Sequence, residues 1–482
     1  MAVLSTLEPR RVFEYFEKLC SVPHGSHNTK QISDLCVSFA QELGLRWRQD
    51  EVNNVVIWKE ATPGYEGAVP VILQGHMDMV CVKTEDCPKD MAAEGLDLAT
   101  DGEWVWADGT SLGGDNCIAV AMILAILADD TLPHPPLEAV FTVDEEVGMD
   151  GAFALDCSDL KGCKLVNLDS EEEGVFTVSC AGGLRLDCFL AGEQRPLLGE
   201  KGYVVTLDGL LGGHSGGEIH KGRASANHLM GRVLYNAMGR VPGLRLADIR
   251  GGRFDNVICP SNQAKVAVPA ERAADFEAFI QEFQAVLQNE YAGCDDGLSL
   301  TCAPVELERA LSPKVAFRML QVLMVLPQGV QAMSADFPGL VQTSLNLGTM
   351  GLEEDGLHFS ISVRSCIASQ KTMMVQKVRA IVASARGSVA ERGDYPGWQY
   401  AKESVLREDI LAAYQAVTGK EGRIEATHGG LECGLFIEKI PGLDAVSAGP
   451  ELVDIHSPQE RLNVASVGRV YEMTCELLKR SR

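Results

Sequence analysis

Short apolar runs that stop in polar tips recur along the first part of the chain. Residues 69–74, Val-Pro-Val-Ile-Leu-Gln, are too few for a helix and predict a strand buried on both faces, ending at Gly75-His76-Met77-Asp78. Residues 137–143, Leu-Glu-Ala-Val-Phe-Thr-Val, repeat the pattern and end in Asp144-Glu145-Glu146-Val147-Gly148. Residues 164–168, Lys-Leu-Val-Asn-Leu, end in Asp169-Ser170-Glu171-Glu172-Glu173-Gly174. Residues 117–127 are apolar on every face, which predicts a buried helix, and Asp115 stands just ahead of it after Gly113-Gly114. Helical spacing over 8–19 and 29–43, with a strand pair over 45–58 turning at Asn53-Asn54, completes an α/β alternation.

From about Gly183 the pattern changes. Strands at 203–208 and 256–260 alternate with amphipathic helices at 224–238, 274–289 and 313–326. A comparable set follows, with strands at 341–347 and 357–364 and a helix at 371–385, which suggests two related α+β halves. Near 390 the first style resumes with a helix at 403–417, the Gly-rich His428-Gly429-Gly430-Leu431-Glu432-Cys433-Gly434, and Asp454-Ile455-His456-Ser457. The expected organisation is a discontinuous α/β catalytic domain, residues 1–183 and 389–482, with 184–388 inserted as a lid.

At 482 residues the chain exceeds the roughly 250–300 that one hydrophobic core supports, consistent with two domains. The formal charge of −25 repels phosphate backbones and anionic lipid, which argues against nucleic acid and membranes as partners. No basic segment leading into an apolar core opens the sequence, and no apolar run approaches the ~20 residues of a bilayer span. The 15 cysteines are scattered without a Cys-x-x-Cys pair, as reduced thiols in a cytoplasmic protein would be.

The candidate chemistry lies at the strand tips. His76 and Asp78, two apart on an extended backbone, point the same way, as a ligating imidazole and the carboxylate behind it do. In α/β sheets ligands bind beyond the carboxyl ends of the strands, where His76, Asp78, Glu145, Glu146 and Asp169 would converge. Asp115 also suits a helix cap, and acid runs also suit solvated loops. Imidazoles and carboxylates without thiolates describe a catalytic site for Zn²⁺, with Mn²⁺ and Co²⁺ compatible. Neighbours on an extended backbone face opposite ways, so one of Glu145 and Glu146 can bind metal while the other meets a water. Pro23-His24-Gly25-Ser26-His27 is expected as a loop with solvated histidines.

Five segments in this order carry a family resemblance: Gly75-His76-Met77-Asp78, Gly113-Gly114-Asp115-Asn116, Asp144-Glu145-Glu146-Val147-Gly148, Asn167-Leu168-Asp169 and Gly213-His214-Ser215-Gly216. With them the chain resembles the dinuclear zinc exopeptidases and amidases, a family of carnosinases, aminoacylases and glutamate-releasing carboxypeptidases. Its length and its Asn167–Gly174 and Gly212–Ile219 stretches are most like members that hydrolyse Xaa-His and other unblocked dipeptides.

The resemblance implies a mixed-sheet catalytic domain with an inserted α+β lid and two Zn²⁺ per chain. His76 and Asp169 would hold one ion, Glu146 and His456 the other, and Asp115 would bridge them. Asp78 would orient His76, and Glu145 would be the general base on a metal-bridging water. His428 is the other downstream histidine that could take the place of His456. His214 would steady the oxyanion, and Asn256 and Arg364 would hold the substrate's carboxylate. Gly429 and Gly430 would let the backbone approach the substrate. A homodimer through the lid is implied as well. The alternatives are an amidohydrolase of N-acyl amino acids and a non-catalytic metal- or peptide-binding protein on the same scaffold.

Overall fold

The computed structural model describes residues 3–482, which form two compact units. The first comprises the chain up to Ser179, Tyr400–Ala426 and Leu431–Arg482, and the second Cys180–Gln399 with Thr427–Gly430.

The first unit is built on a mixed eight-stranded sheet. Its centre is parallel: Leu137–Thr142, Val71–His76, Lys164–Asn167 and Asp444–Ser447 lie side by side in that order. The hairpin Arg46–Gln49 and Val55–Lys59 adds antiparallel strands at one edge, and Val175–Cys180 and Arg423–Thr427 complete the other. Every residue of Val71–His76 and of Leu137–Thr142 is buried, the outcome expected of apolar runs covered on both faces. The helix Gly114–Leu127 packs on Val71–His76 and against the helix Arg10–Cys20. All of its residues except Asp115 are buried, which explains why its sequence has no polar face.

The second unit has its own core around a nine-stranded antiparallel sheet with the helices Ala226–Arg240, Ala273–Glu290, Pro313–Val325 and Ala368–Ser384. Its two halves share this one sheet, and they join where Arg250 and Gly251 pair with Gly351 and Met350. Ser388–Tyr395 pairs with Gly182–Ala191, which keeps the chain in this unit as far as Gln399, beyond the expected crossing near 389. The strand expected over 256–260 is only Val257–Ile258, paired with Gly213–His214, because Pro260 ends it. Among the described residues no helix is long and apolar enough to cross a membrane.

Because Leu124 is fully buried in the central helix, Leu124→Ala should cost about 2–5 kcal/mol. Urea denaturation is expected to show a lower midpoint with an unchanged slope.

Candidate active site

The parallel strands end together, and their tips hold the acids and imidazoles. His76 is the last residue of Val71–His76 and is buried. Its Nε2 lies 3.2 Å from Asp115 Oδ1 and 3.4 Å from Asp169 Oδ1. Its Nδ1 lies 3.0 Å from the Asp78 carbonyl and 3.4 Å from the Asp78 carboxylate. His456 Nε2 lies 3.1 Å from Asp115 Oδ2 and 2.8 Å from Glu146 Oε1. Ligand atoms of His76, Asp115 and Glu146 all fall within 4.8 Å of one another. Asp115 thus stands between two imidazoles that are 380 residues apart in sequence (456 − 76).

Main-chain and amide contacts hold these groups in place. Asp78, fully buried, accepts the N–H of Glu145 at 3.1 Å, the N–H of Glu146 at 3.4 Å and the Ser26 hydroxyl at 2.9 Å. Its carboxylate therefore ties the acid turn to the strand tip, while its carbonyl makes the shorter contact to His76. Asn116 accepts the His76 N–H and donates to the Leu168 carbonyl, fastening two strand tips together. Glu460 accepts the N–H groups of Leu112, Gly113, Gly114 and Asp115 at 2.8–3.4 Å, an anionic cap on the helix that starts beside Asp115. Beneath the tips the buried Glu432 accepts from Gln74 and Thr142, and Gln74 accepts from Asn167.

The titration of these groups follows from crowding. Hydrogen bonds to Asp115 and Glu146 push the His456 imidazole up to about 10. Burial pulls His76 down, but the Asp169 charge and its hydrogen bonds to Asp115, Asp169 and Asp78 leave it well above the ordinary imidazole range. Burial holds Glu145 well above the ordinary carboxyl range; His76 opposes this, and Asp169, Glu432 and Glu146 reinforce it. Glu145 itself accepts no side-chain hydrogen bond among the described residues. Burial and then neighbouring charge raise Glu146 and Asp169, whereas Asp115, despite its burial, is held low by hydrogen bonds to His456 and His76; acids so crowded beside two imidazoles are a donor set suited to divalent cations.

The loop before the second helix differs from expectation. His27 is exposed, but His24 is buried with its Nδ1 2.7 Å from the Val22 carbonyl. The loop is drawn in because Gly25 bridges to Met79 and Ser26 reaches Asp78.

The model of peptidase family M20/M25/M40 matches residues 72–480. The chain belongs to this family. It is 38% identical over 481 residues to the cytosol non-specific dipeptidase of Escherichia coli (strain K12), covering 99% of each chain. The crystal structure of aminoacylhistidine dipeptidase from Vibrio alginolyticus matches with a TM-score of 0.92 and 35% identity, over 99% of this chain and 98% of that one. The crystal structure of aminopeptidase PepT from Bacillus cereus ATCC 10987 shares the fold at a TM-score of 0.60 and 15% identity, over 98% of this chain and 99% of that one.

In this M20 peptidase the remaining expected residues lie in the second unit. His214 accepts the Gly217 N–H on Nδ1 at 3.1 Å, so its neutral ring carries the proton on Nε2. Burial and then the Arg364 charge hold its pKa below the ordinary value. Asn256 sits one residue before Val257, the cross-strand partner of His214, and its carbonyl accepts the Ser215 N–H. Arg364 donates to the Tyr395 hydroxyl at 3.1 Å. Gly429 donates to Thr427 and accepts from Ala181. A Cβ on Gly430 would stand 2.9 Å from the Tyr395 ring, so this glycine makes room for an aromatic side chain. His428 lies here as well: its Nε2 is 2.8 Å from the Ser344 hydroxyl, and burial, then the Arg364 charge, press its pKa down to about 3. Of the two downstream histidines, His456 is the one that touches Asp115 and Glu146.

Ser26, Asn116, Glu432, Glu460, Ser344 and Tyr395 are absent from the expected set. Each makes its contact with a partner remote in sequence; Asn116 beside Asp115, Glu432 in the Gly-rich stretch after His428 and Ser26 between His24 and His27 had a nearby signal, and the others had none.

Glu460→Ala should strand buried N–H groups at the start of the central helix, at a cost of at least about 2 kcal/mol. A lower denaturation midpoint and weaker retention of metal on dialysis are expected, with Glu460→Gln intermediate. His428 is neutral when folded and has an ordinary value of 6.5 when unfolded, so its contribution is present above about 6.5 and declines as pH falls towards about 3. His428→Gln should therefore flatten the fall of stability over that range by up to about 1.4 kcal/mol per pH unit.

Proposed function

We propose that this M20 peptidase is a metal-dependent dipeptidase acting on unblocked dipeptides, Xaa-His among them. The observation that carries the reading is the convergence of His76, Asp115, Glu146, Asp169 and His456 around one point with Glu145 beside them. Two relatives aligned over nearly the whole chain are a cytosol non-specific dipeptidase and an aminoacylhistidine dipeptidase, which supports the same substrate class.

His76 and Asp169 would hold one divalent cation and Glu146 and His456 a second, with Asp115 shared. Zn²⁺ suits this donor set, and Mn²⁺ or Co²⁺ could replace it. Such ions lower the pKa of water and polarise a carbonyl. The protein's own part is proton handling and orientation. Glu145, unpartnered and with a raised pKa, takes the proton of the attacking water and returns it to the departing amine. Asp78, through its carbonyl on Nδ1, fixes which nitrogen of His76 faces the cluster. His214 offers its Nε2–H to the developing oxyanion, and its lowered pKa keeps it neutral at pH 7. Arg364 and Asn256 hold the substrate's carboxylate, and Gly429 lines the path of its backbone. The reading includes a cytoplasmic enzyme that pairs as a homodimer through its inserted unit.

Glu145→Gln should lower kcat by about 10²–10⁴-fold with metal content unchanged. Metal-stripped enzyme reloaded with Zn²⁺, Mn²⁺ or Co²⁺ should hydrolyse Ala-His and β-Ala-His faster than N-acetyl amino acids. Preference for the acetylated compounds would assign the chain to the amidohydrolases, and turnover equal to wild type in Glu145→Gln would remove the base.

A further inference from the structure

Arg364 is unusual among the arginines of its sheet. On neighbouring strands Arg185 pairs with Asp255, and Arg392 with Asp187 and Asp255. Arg364, half-buried, meets no carboxylate among the described residues; its hydrogen bond goes from Nη1 to the Tyr395 hydroxyl. That bond uses a lone pair of the phenolic oxygen and leaves the phenolic hydrogen without an acceptor among the described residues. An uncompensated guanidinium and an unspent O–H donor therefore stand side by side.

The surroundings are built to keep them so. Tyr395 ends the strand Ser388–Tyr395, pairs with Gly183 and is anchored by Lys371 Nζ on its carbonyl at 2.6 Å. A Cβ on Gly183 would lie 2.6 Å from the Tyr395 oxygen and one on Gly430 2.9 Å from its ring, so two glycines clear the space that the ring fills. A Cβ on Gly216 would lie 2.9 Å from His214 Cε1 and 3.3 Å from Arg364 Cζ, which places the imidazole beside the guanidinium. Across the strand pair from Arg364, Ser344 is occupied by the neutral His428 and supplies no anion.

We propose that Tyr395 is a specificity-determining residue whose hydroxyl donates to the C-terminal carboxylate of the dipeptide, alongside Arg364. This rests on the dipeptidase reading and adds a donor to it. The phenol confers selectivity for a free carboxylate over a capped end, because an amide places no negative charge before the pair.

The test compares wild type and Tyr395→Phe on Ala-His and on Ala-His amide. The phenylalanine variant should raise KM for Ala-His about tenfold or more, change kcat less, and leave KM for the amide within about twofold. Equal KM values for Ala-His in the two proteins, or the same increase on both substrates, would overturn the proposal. Unchanged thermal midpoints show that the variant folds. Isothermal titration of the two peptides reads the same contrast as Kd. Wild-type enzyme that cleaves neither peptide thus counts against the dipeptidase reading, and a Kd for Ala-His unaltered by Tyr395→Phe counts against Tyr395.

Discussion

The structure depends on holding several carboxylates against one another at the end of a buried sheet. Like charges 4 Å apart repel by roughly 4 kcal/mol at an effective dielectric of 20, so the arrangement survives only where opposing charge and fixed dipoles are supplied. His76 and His456 supply charge to Asp115, Asp169 and Glu146. Main-chain N–H groups supply dipoles to Asp78 and Glu460. Rigid strands, buried on both faces, prevent the acids from moving apart. What is left over is a demand for cations, which ties the geometry of the sheet to metal chemistry.

The second unit poses the opposite electrostatic problem. In a chain with a net charge of −25, a lone guanidinium should find an acid easily, and most arginines on its sheet do. Arg364 is kept apart by neutral neighbours: a phenol, a hydroxyl, and imidazoles that burial and the arginine itself keep uncharged. One unit thus gathers negative charge and the other reserves a positive one.

The parts of this arrangement that were readable in the chain are those with short-range patterns. Apolar runs of strand length with polar ends marked Val71–His76, Leu137–Thr142 and Lys164–Asn167, and an all-apolar stretch marked the central helix, because burial on both faces leaves a local imprint. His76, Asp115, Glu145, Glu146 and Asp169 follow directly from those strands and that helix. His24 misled because a Gly/Pro loop looks solvated until the strand it bridges to is known. Glu460 and Tyr395 had no such imprint: their value lies in contacts to residues 112–115 and 364, far from them in sequence. The strand Gly182–Ala191, whose burial alternates, pairs with Gly356–Ser365 and Ser388–Tyr395 far downstream, so no local partner marks it in the sequence.

Asp444–Ser447, a strand in the middle of the first unit's sheet, is joined by His456 and Glu460 in the last stretch of the chain, whereas the acids they neighbour belong to residues 115–169. During synthesis the carboxylates are therefore made long before the imidazole and the helix cap that steady them. The cluster is therefore complete only when segments more than 290 residues apart, Asp169 and Glu460, are folded together (460 − 169 = 291).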